Sequence, residues 1–471
     1  MKHLKKNLLF IIFTFISLLL IAYLVINISL TNIIPFKYIV LLIGVLFILN
    51  LIAILLHLSK KKIVRFFSYF IYTLIIVSSF IGITYTNKML IFLKDSFNNA
   101  KLTSVNKYIL ITNKEYNDIY SFSNKVVGYY KMIPDINKAL DKLSTAVVNE
   151  YIDYLEINTL FKDLDTSKID GVLIEEGIYN SMKENIDTIS FDNYKILYNF
   201  EITKDLDTSN DKINNSFNVY ISGADFTYSN SDFNMIVTVN RSTRKILLTS
   251  IPRDYHIYLP SMGMKDSLEY IAVWGLNVPM EGLEKLFDID LDYYLQINTK
   301  SLVNLVDTLG GIEFCSDRDF WTTHALILDS YNDKLGRKLH VTKGCKTYNG
   351  IEILTIARER KVEGGDRVRQ ENCRKIMISI ANKMMSFDSI TNFEDILNKL
   401  KDLYKTNIPD KQITNIIKDF LNGNKWEIQT TEVDGENSSG YVHLGTYYDY
   451  VMIPDMKTVE KASTKIKEIY G

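Results

Sequence analysis

The sequence predicts an α/β protein in which an N-terminal anchor of three membrane-spanning helices is followed by two α/β modules. Three observations carry this. Three long runs almost free of charge fill residues 1–85, and beyond them β-type runs alternate with helical periodicity. The length, 471 residues, also exceeds the roughly 100 to 200 of one ordinary domain. Lys and Arg number 54 against 55 Asp and Glu, a formal net charge of −1. The global balance therefore points to no nucleic-acid partner, and charge has to be read locally.

The runs 8–30, 33–58 and 64–85 each reach the roughly 20 residues a helix needs to cross the hydrocarbon layer. Lys2, Lys5 and Lys6 precede the first, Lys60, Lys61, Lys62 and Arg65 separate the second from the third, and the connection 31–37 carries only Lys37. The positive-inside rule predicts a cytoplasmic N-terminus and places everything beyond the third run outside the cell. A cleaved signal peptide is the alternative for the first run; its length and the two runs after it argue against that.

Residues 101–209 are expected to form an accessory α/β domain. Strand-like runs at 108–112, 171–174 and 194–197 alternate with a helical pattern over 136–154. The pattern resembles half of a periplasmic binding-protein fold, which implies a binding or spacer role. It holds no Gly-rich phosphate loop, His cluster or paired catalytic carboxylates. A Ser, Asn, Asp and Lys-rich linker at 210–216 leads to the second module, expected over 214–390 with a C-terminal extension over 391–471.

In that module a strand over 217–222 breaks at Gly223 and delivers Asp225. Runs 235–240 and 245–251, joined by the polar turn 241–244, read as an antiparallel hairpin. Asp232 sits just before its first strand and Arg253 just after its second, so the hairpin brings them to one end of the sheet, where Asp225, leaving an adjacent strand, could join them. A strand over 292–298 and a helix over 300–309 follow; Leu302, Leu305, Val306 and Leu309 share one helix face, and Gly310-Gly311 stops it. Cys315 and Cys345 flank a polar, irregular stretch that a disulfide would close, worth about 3 to 4 kcal/mol for a loop of this length. The alternative is three buried thiols, Cys373 included.

Asn349-Gly350 opens a short helix, after which Arg358 and Arg360 alternate. The turn Gly364-Gly365-Asp366 starts a longer helix on which Arg369, Cys373, Ile376, Met377, Ile380 and Met384 fall on one stripe. Arg369 is thus aimed toward the core, where it needs an anion, either a protein carboxylate or a ligand phosphate. Several converging guanidinium groups suit a pyrophosphate, whose oxygens match the planar fork. Pairing with Glu359, Glu363, Asp366 and Glu371 on a solvated face is the alternative.

Taken with Ile251-Pro252-Arg253-Asp254 and the two aspartates, the arginines resemble the LytR-CpsA-Psr family of cell-wall ligases. The matching pieces are Gly223-Ala224-Asp225, Ser231-Asp232, residues 247–254, Leu309-Gly310-Gly311-Ile312, Asn349-Gly350, Ala357-Arg358-Glu359-Arg360 and Gly365-Asp366-Arg367-Val368-Arg369, in family order. The resemblance implies a mixed central sheet flanked by helices, and a transferase that moves a glycopolymer, such as teichoic acid or a capsule, from a polyprenyl-pyrophosphate carrier to peptidoglycan. It implies that Asp225 and Asp232 hold Mg²⁺ (or Mn²⁺) and act in catalysis with Arg253. Arg253, Arg358, Arg360, Arg367 and Arg369 would then bind the pyrophosphate, and Leu302, Leu305, Val306, Cys373, Ile376, Met377 and Ile380 would line a pocket for the lipid tail. Two aspartates plus phosphate oxygens are a suitable ligand set for Mg²⁺. Phosphoryl chemistry gains more from positioning and charge neutralisation than from a protein nucleophile.

Two positions depart from the family pattern: Asn230 stands where an arginine usually precedes the Ser-Asp pair, and Cys373 stands in place of a glutamine. Lys265 or Arg367 is the candidate to replace the missing charge. The alternative function is a non-enzymatic sensor of lipid carrier or glycan.

Overall fold

The structure is a computed structural model of the chain and describes all residues except 1, 32–33, 35, 100–102, 134, 187–188, 206–213, 225–229, 272–273, 326–337, 385–403, 422–424 and 443–446. It divides into two compact units, Met1–Lys101 with Pro409–Lys425, and Leu102–Ile408 with Trp426–Gly471.

The first unit holds α1 (Lys2–Thr31), α2 (Phe36–His57) and α3 (Lys62–Asn99), so the third helix outruns the expected boundary at 85. All three contain spans long and apolar enough to cross a membrane. Lipid tails are as apolar as Leu, so such helices associate through close packing and hydrogen bonds rather than through the hydrophobic effect. Ser17 Oγ donates to Asn50 Oδ1 at 2.9 Å and Asn27 Nδ2 to Asn87 Oδ1 at 2.8 Å, while Gly82 lets α3 approach Leu24 of α1. The helix Asp410–Leu421 belongs to the same unit.

The second unit begins with the accessory module: β1 (Thr103–Thr112), β2 (Val126–Tyr130), α4 (Ile136–Ala146), β3 (Glu150–Tyr154), α5 (Ile157–Asp165), β4 (Gly171–Glu175), α6 (Glu176–Asn185) and β5 (Lys195–Asp205). Its sheet runs β3-β2-β4-β1-β5, with β2, β3 and β4 parallel and β1 antiparallel to both neighbours. The helical pattern over 136–154 is corrected here. The chain leaves α4 at Val147 in extended geometry, and 150–154 pairs in parallel with β2. The adjacent β-branched Val147 and Val148 favour that exit.

The larger module contains β6 (Ser216–Ala224), β7 (Ser231–Asn240), β8 (Lys245–Ile251), β9 (His256–Leu259), β10 (Met264–Ser267), α7 (Leu268–Ile271), α8 (Asn277–Phe287), β11 (Tyr293–Asn298), α9 (Thr299–Thr308), β12 (Ile312–Ser316), β13 (Phe320–Ala325), β14 (Lys338–Val341), β15 (Gly344–Tyr348), α10 (Gly350–Arg358) and α11 (Gly365–Met384). It ends with β16 (Tyr404–Thr406), β17 (Glu427–Glu432), β18 (Gly435–Val442), β19 (Tyr447–Pro454) and α12 (Met456–Tyr470). Six strands form the expected mixed sheet, in the order β16-β11-β6-β7-β8-β17. Both edge strands come from the segment read as a C-terminal extension, so that segment completes the sheet.

Asn298 with Ser301 and Asn349 with Glu352 form capping boxes that start α9 and α10 where the sequence places them. Cys315 and Cys345 face each other in the β12–β15 register and are disulfide-bonded, and the stretch between them contains a β13–β14 hairpin rather than irregular chain. The two modules share one continuous apolar cluster, in which the rings of Tyr130 and Trp274 lie 5.7 Å apart.

Candidate functional site

The β7–β8 hairpin builds one end of the site. Its register, with Asn234 opposite Ile251, sets Asp232 and Arg253 at the same end of the sheet, as their positions in the chain require. Asp232 lies inside β7 rather than before it. A bulge at Gly223/Ala224 lets Ser231 rejoin the ladder, where its hydroxyl meets Ser222 Oγ at 2.9 Å. Beneath it, Asn234 Oδ1 accepts from Tyr220 at 2.6 Å and from Ser231 at 2.9 Å. This buried network fixes the start of β7, the stretch of strand that carries Asp232.

Helices α10 and α11 supply the other side. Arg253 Nη1 donates to Asp232 Oδ1 at 2.6 Å, and Arg360 Nη2 and Arg369 Nη1 each lie 3.7 Å from that same oxygen. Three guanidinium groups from three parts of the chain therefore converge on one carboxylate. Arg369 is only 3% exposed, in accord with the helical stripe that aims it inward. Arg360 keeps 45% of its side chain open and Asp232 42%. Burial works against ionisation of Asp232, yet Arg253, Arg369 and Arg360 outweigh it and hold the carboxyl below the usual aspartate range.

One acidic residue escaped the sequence reading, and a second entered it only as the end of the Ile-Pro-Arg-Asp turn. Glu269, on the short α7, accepts from the same Arg253 Nη1, and Asp254 lies 3.6 Å from Arg253 Nε. Both are buried. Burial pushes Glu269 upward against the pull of Arg253, and nearby Asp232 and Asp254 add to the rise. The available signal was an acid inside the otherwise apolar run 268–274, which asks for a buried partner.

The remaining expectations divide. Arg358 ends α10 two residues before Arg360. Arg367 turns elsewhere: its Nη2 grips both carboxylate oxygens of Asp434, at 3.0 and 2.9 Å, on the surface. Glu359 is fully buried and accepts from Thr323 Oγ1 at 3.1 Å and from the backbone N–H of Lys361 at 2.7 Å, so it is committed to the protein fabric. Lys265 is exposed on β10, opposite Tyr258. Asp225 lies outside the described residues, as does the side chain of Asp366.

Val306, Ile376 and Ile380 are buried in a cluster with Phe314, Ile353 and Ile356, against which Leu302, Leu305 and Met377 pack half-buried. Most of the residues expected to line a tail pocket thus pack one apolar cluster of α9, α10 and α11, and Met384 is exposed. Cys373 Sγ lies 3.6 Å from the Ala357 carbonyl and holds α11 to the last turn of α10.

Comparison with known proteins gives a consistent result. The LytR_cpsA_psr family model matches residues 178–467, beginning within α6 of the accessory module. A Staphylococcus aureus protein of uncharacterised role is 27% identical over 247 residues, which are 52% of this chain and 57% of that one. The Bacillus subtilis polyisoprenyl-teichoic acid–peptidoglycan teichoic acid transferase TagU is 31% identical over 237 residues, covering 49% of this chain and 72% of that one. The crystal structure of B. subtilis TagV overlays 55% of this chain and 98% of that one, with a TM-score of 0.46 and 22% identity.

Proposed function

This chain belongs to the LytR-CpsA-Psr family, and from that premise we propose that it is a membrane-anchored transferase that moves a glycopolymer from a polyprenyl-pyrophosphate carrier to peptidoglycan outside the cell. The observation that supports this most directly is the convergence of Arg253, Arg360 and Arg369 on Asp232. Arg360 and Arg369 reach the half-open Asp232 carboxylate only at 3.7 Å, while Arg253 is also held by Glu269, and a pyrophosphate offers the bidentate oxygens that guanidinium groups favour. The names of the TagU relatives point to the same polymer class.

In this reading the donor exchanges with Asp232 for the arginines. Once the guanidinium groups turn to phosphate, an aspartate carboxylate oxygen is released to take the acceptor's proton. The acceptor hydroxyl oxygen then bonds to the phosphorus nearest the polymer, and the phosphorus–oxygen bond to the polyprenyl phosphate breaks. Polyprenyl phosphate leaves with the electron pair, and the hydroxyl proton passes to Asp232 or Asp225. The half-buried rim of Leu302, Leu305 and Met377 is the stretch assigned to the lipid tail.

All three guanidinium contacts fall on Asp232 Oδ1. Asp232 Oδ2, with Asp225 and phosphate oxygens, is therefore the hard-oxygen set that would hold Mg²⁺, whose chemistry is to neutralise developing phosphate charge. The test is transfer of a polyprenyl-pyrophosphate-linked sugar to peptidoglycan fragments by the full chain in detergent micelles, with and without Mg²⁺. Metal-dependent product that Asp225→Ala and Arg369→Ala both lose is the expected result. Donor binding without product in the wild type would replace the transferase by a carrier-binding sensor.

A further inference from the structure

We propose that the β18–β19 ribbon is the docking surface for the sugar backbone of the peptidoglycan acceptor. In the antiparallel register Tyr441 opposes Tyr448, Ser439 opposes Tyr450 and Asn437 opposes Met452. Directly opposed residues project from the same face of a ribbon, so Tyr441, Tyr448, Tyr450, Ser439 and Asn437 share one. Tyr448 is 73% exposed and Tyr450 47%, large aromatic areas to leave in water. Their order is fixed from within: the Tyr441 and Tyr448 rings meet edge to face at 5.7 Å, and the Tyr450 hydroxyl donates to Asn437 Oδ1 at 2.9 Å.

Rigid aromatic rings interleaved with amide and hydroxyl groups fit a pyranose chain. The C–H faces of the sugars stack on the rings while the hydroxyl and acetamido groups find hydrogen-bond partners. Charge selects among sugar polymers. The tyrosine face, positions 437, 439, 441, 448, 450 and 452, carries no charge, and residues 435–454 contain no Lys or Arg, so the ribbon offers no permanent cation to a polyphosphate chain or an anionic lipid surface. The ribbon also starts beside α11, the helix that carries Arg369 to the site. Asp434, immediately before β18, holds Arg367, two residues from Arg369, and Tyr441 lies roughly 24 Å further along the strand at about 3.4 Å per residue. A glycan laid along the ribbon would lead its hydroxyl toward Asp232.

The inference rests on the transferase reading, and its test separates the two. The full chain in micelles is co-sedimented with peptidoglycan sacculi stripped of wall polymer and, in a parallel arm, tested for binding of soluble teichoic acid. The expected outcome is about a tenfold loss of sacculus affinity in Tyr448→Ala/Tyr450→Ala, two stacking contacts' worth, with Tyr448→Phe close to wild type. Arg369→Ala should keep sacculus affinity while losing the lipid-linked donor. Unchanged sacculus binding by the double variant, or loss of teichoic acid binding in its place, overturns the proposal. Ribbon-dependent sacculus binding without any transfer by the wild type would overturn the transferase reading instead and leave the docking surface standing.

Discussion

Asp232 is the counter-ion on which the arginine cluster depends. In Asp232→Asn the amide keeps the shape of the carboxylate but removes the anion that Arg253, Arg360 and Arg369 share; Arg253 keeps Glu269, whereas Arg369, at 3% exposure, cannot turn to water. A loss of about 1 to 3 kcal/mol is expected, the lower figure reflecting the half-open side chain of Asp232. Inorganic pyrophosphate should raise the melting temperature of this variant more than that of the wild type, because it supplies the missing anion; an equal rise would refute the counter-ion role. The pH dependence has two opposed parts. The folded state lowers the Asp232 pKa below its ordinary value of 3.8, so its stabilisation is present above that value and is lost as pH falls through the folded one. Glu269 is raised above 4.5, so the folded form holds its proton longer than the unfolded chain and stability drains away as pH rises above that value. Melting curves of Glu269→Gln against wild type should therefore converge or cross toward neutral pH, with the wild type losing ground; parallel curves would show that Glu269 does not titrate there. Arg369 was legible in the sequence because a helical stripe gives its direction. Glu269 was not, since it reaches Arg253 through the turn after β10, a geometry that spacing does not encode.

Among the elements, those whose start is written in local chemistry were readable: the β7–β8 hairpin by its polar turn, α9 and α10 by their capping boxes. What escaped depended on distant partners. Strand β3 was taken into a helix because its register with β2 is a tertiary fact, and the short edge strand β16 owes its place to pairing with β11 across more than a hundred residues. The seat of α10 is one such tertiary contact with a sharp prediction. Gly350 lies so close to α9 that a Cβ would fall 2.2 Å from the Val303 carbonyl oxygen, and its N–H donates to Asp307 Oδ1 at 2.7 Å. In Gly350→Ala backbone must move, at a cost of about 1 to 3 kcal/mol, and α10 carries Arg358 and leads into Arg360. Both the melting temperature and the affinity for pyrophosphate should fall. Loss of stability with pyrophosphate affinity intact would mean that the arginines take their position from α11 alone.

At the scale of the whole molecule, the accessory module presents to the larger one the edge that a doubly wound sheet ordinarily uses for ligands. The carboxyl ends of β2 and β4, the crevice where strand order reverses, deliver Tyr130 and Glu175. Tyr130 meets Trp274, and Glu175 feels Lys405 of the larger module's edge strand; burial pushes the Glu175 carboxyl up to about 7 against the pull of that lysine. The crevice is thus used as an intramolecular interface, which favours a spacer over a ligand-binding role for this module and ties it to the edge of the larger module's sheet. Trp274, only 1% exposed, is the largest side chain in that joint. Truncating a buried aromatic costs about 3 to 5 kcal/mol, here charged to the contact between modules rather than to either core. With a protease site inserted in the polar stretch 210–216 that the sequence marks as a linker, the cleaved wild type should still elute as one species in micelles, whereas cleaved Trp274→Ala should release the accessory module from the larger one. Co-elution of both pieces in the variant would show that the joint rests on the rest of the shared apolar cluster and that Trp274 is replaceable.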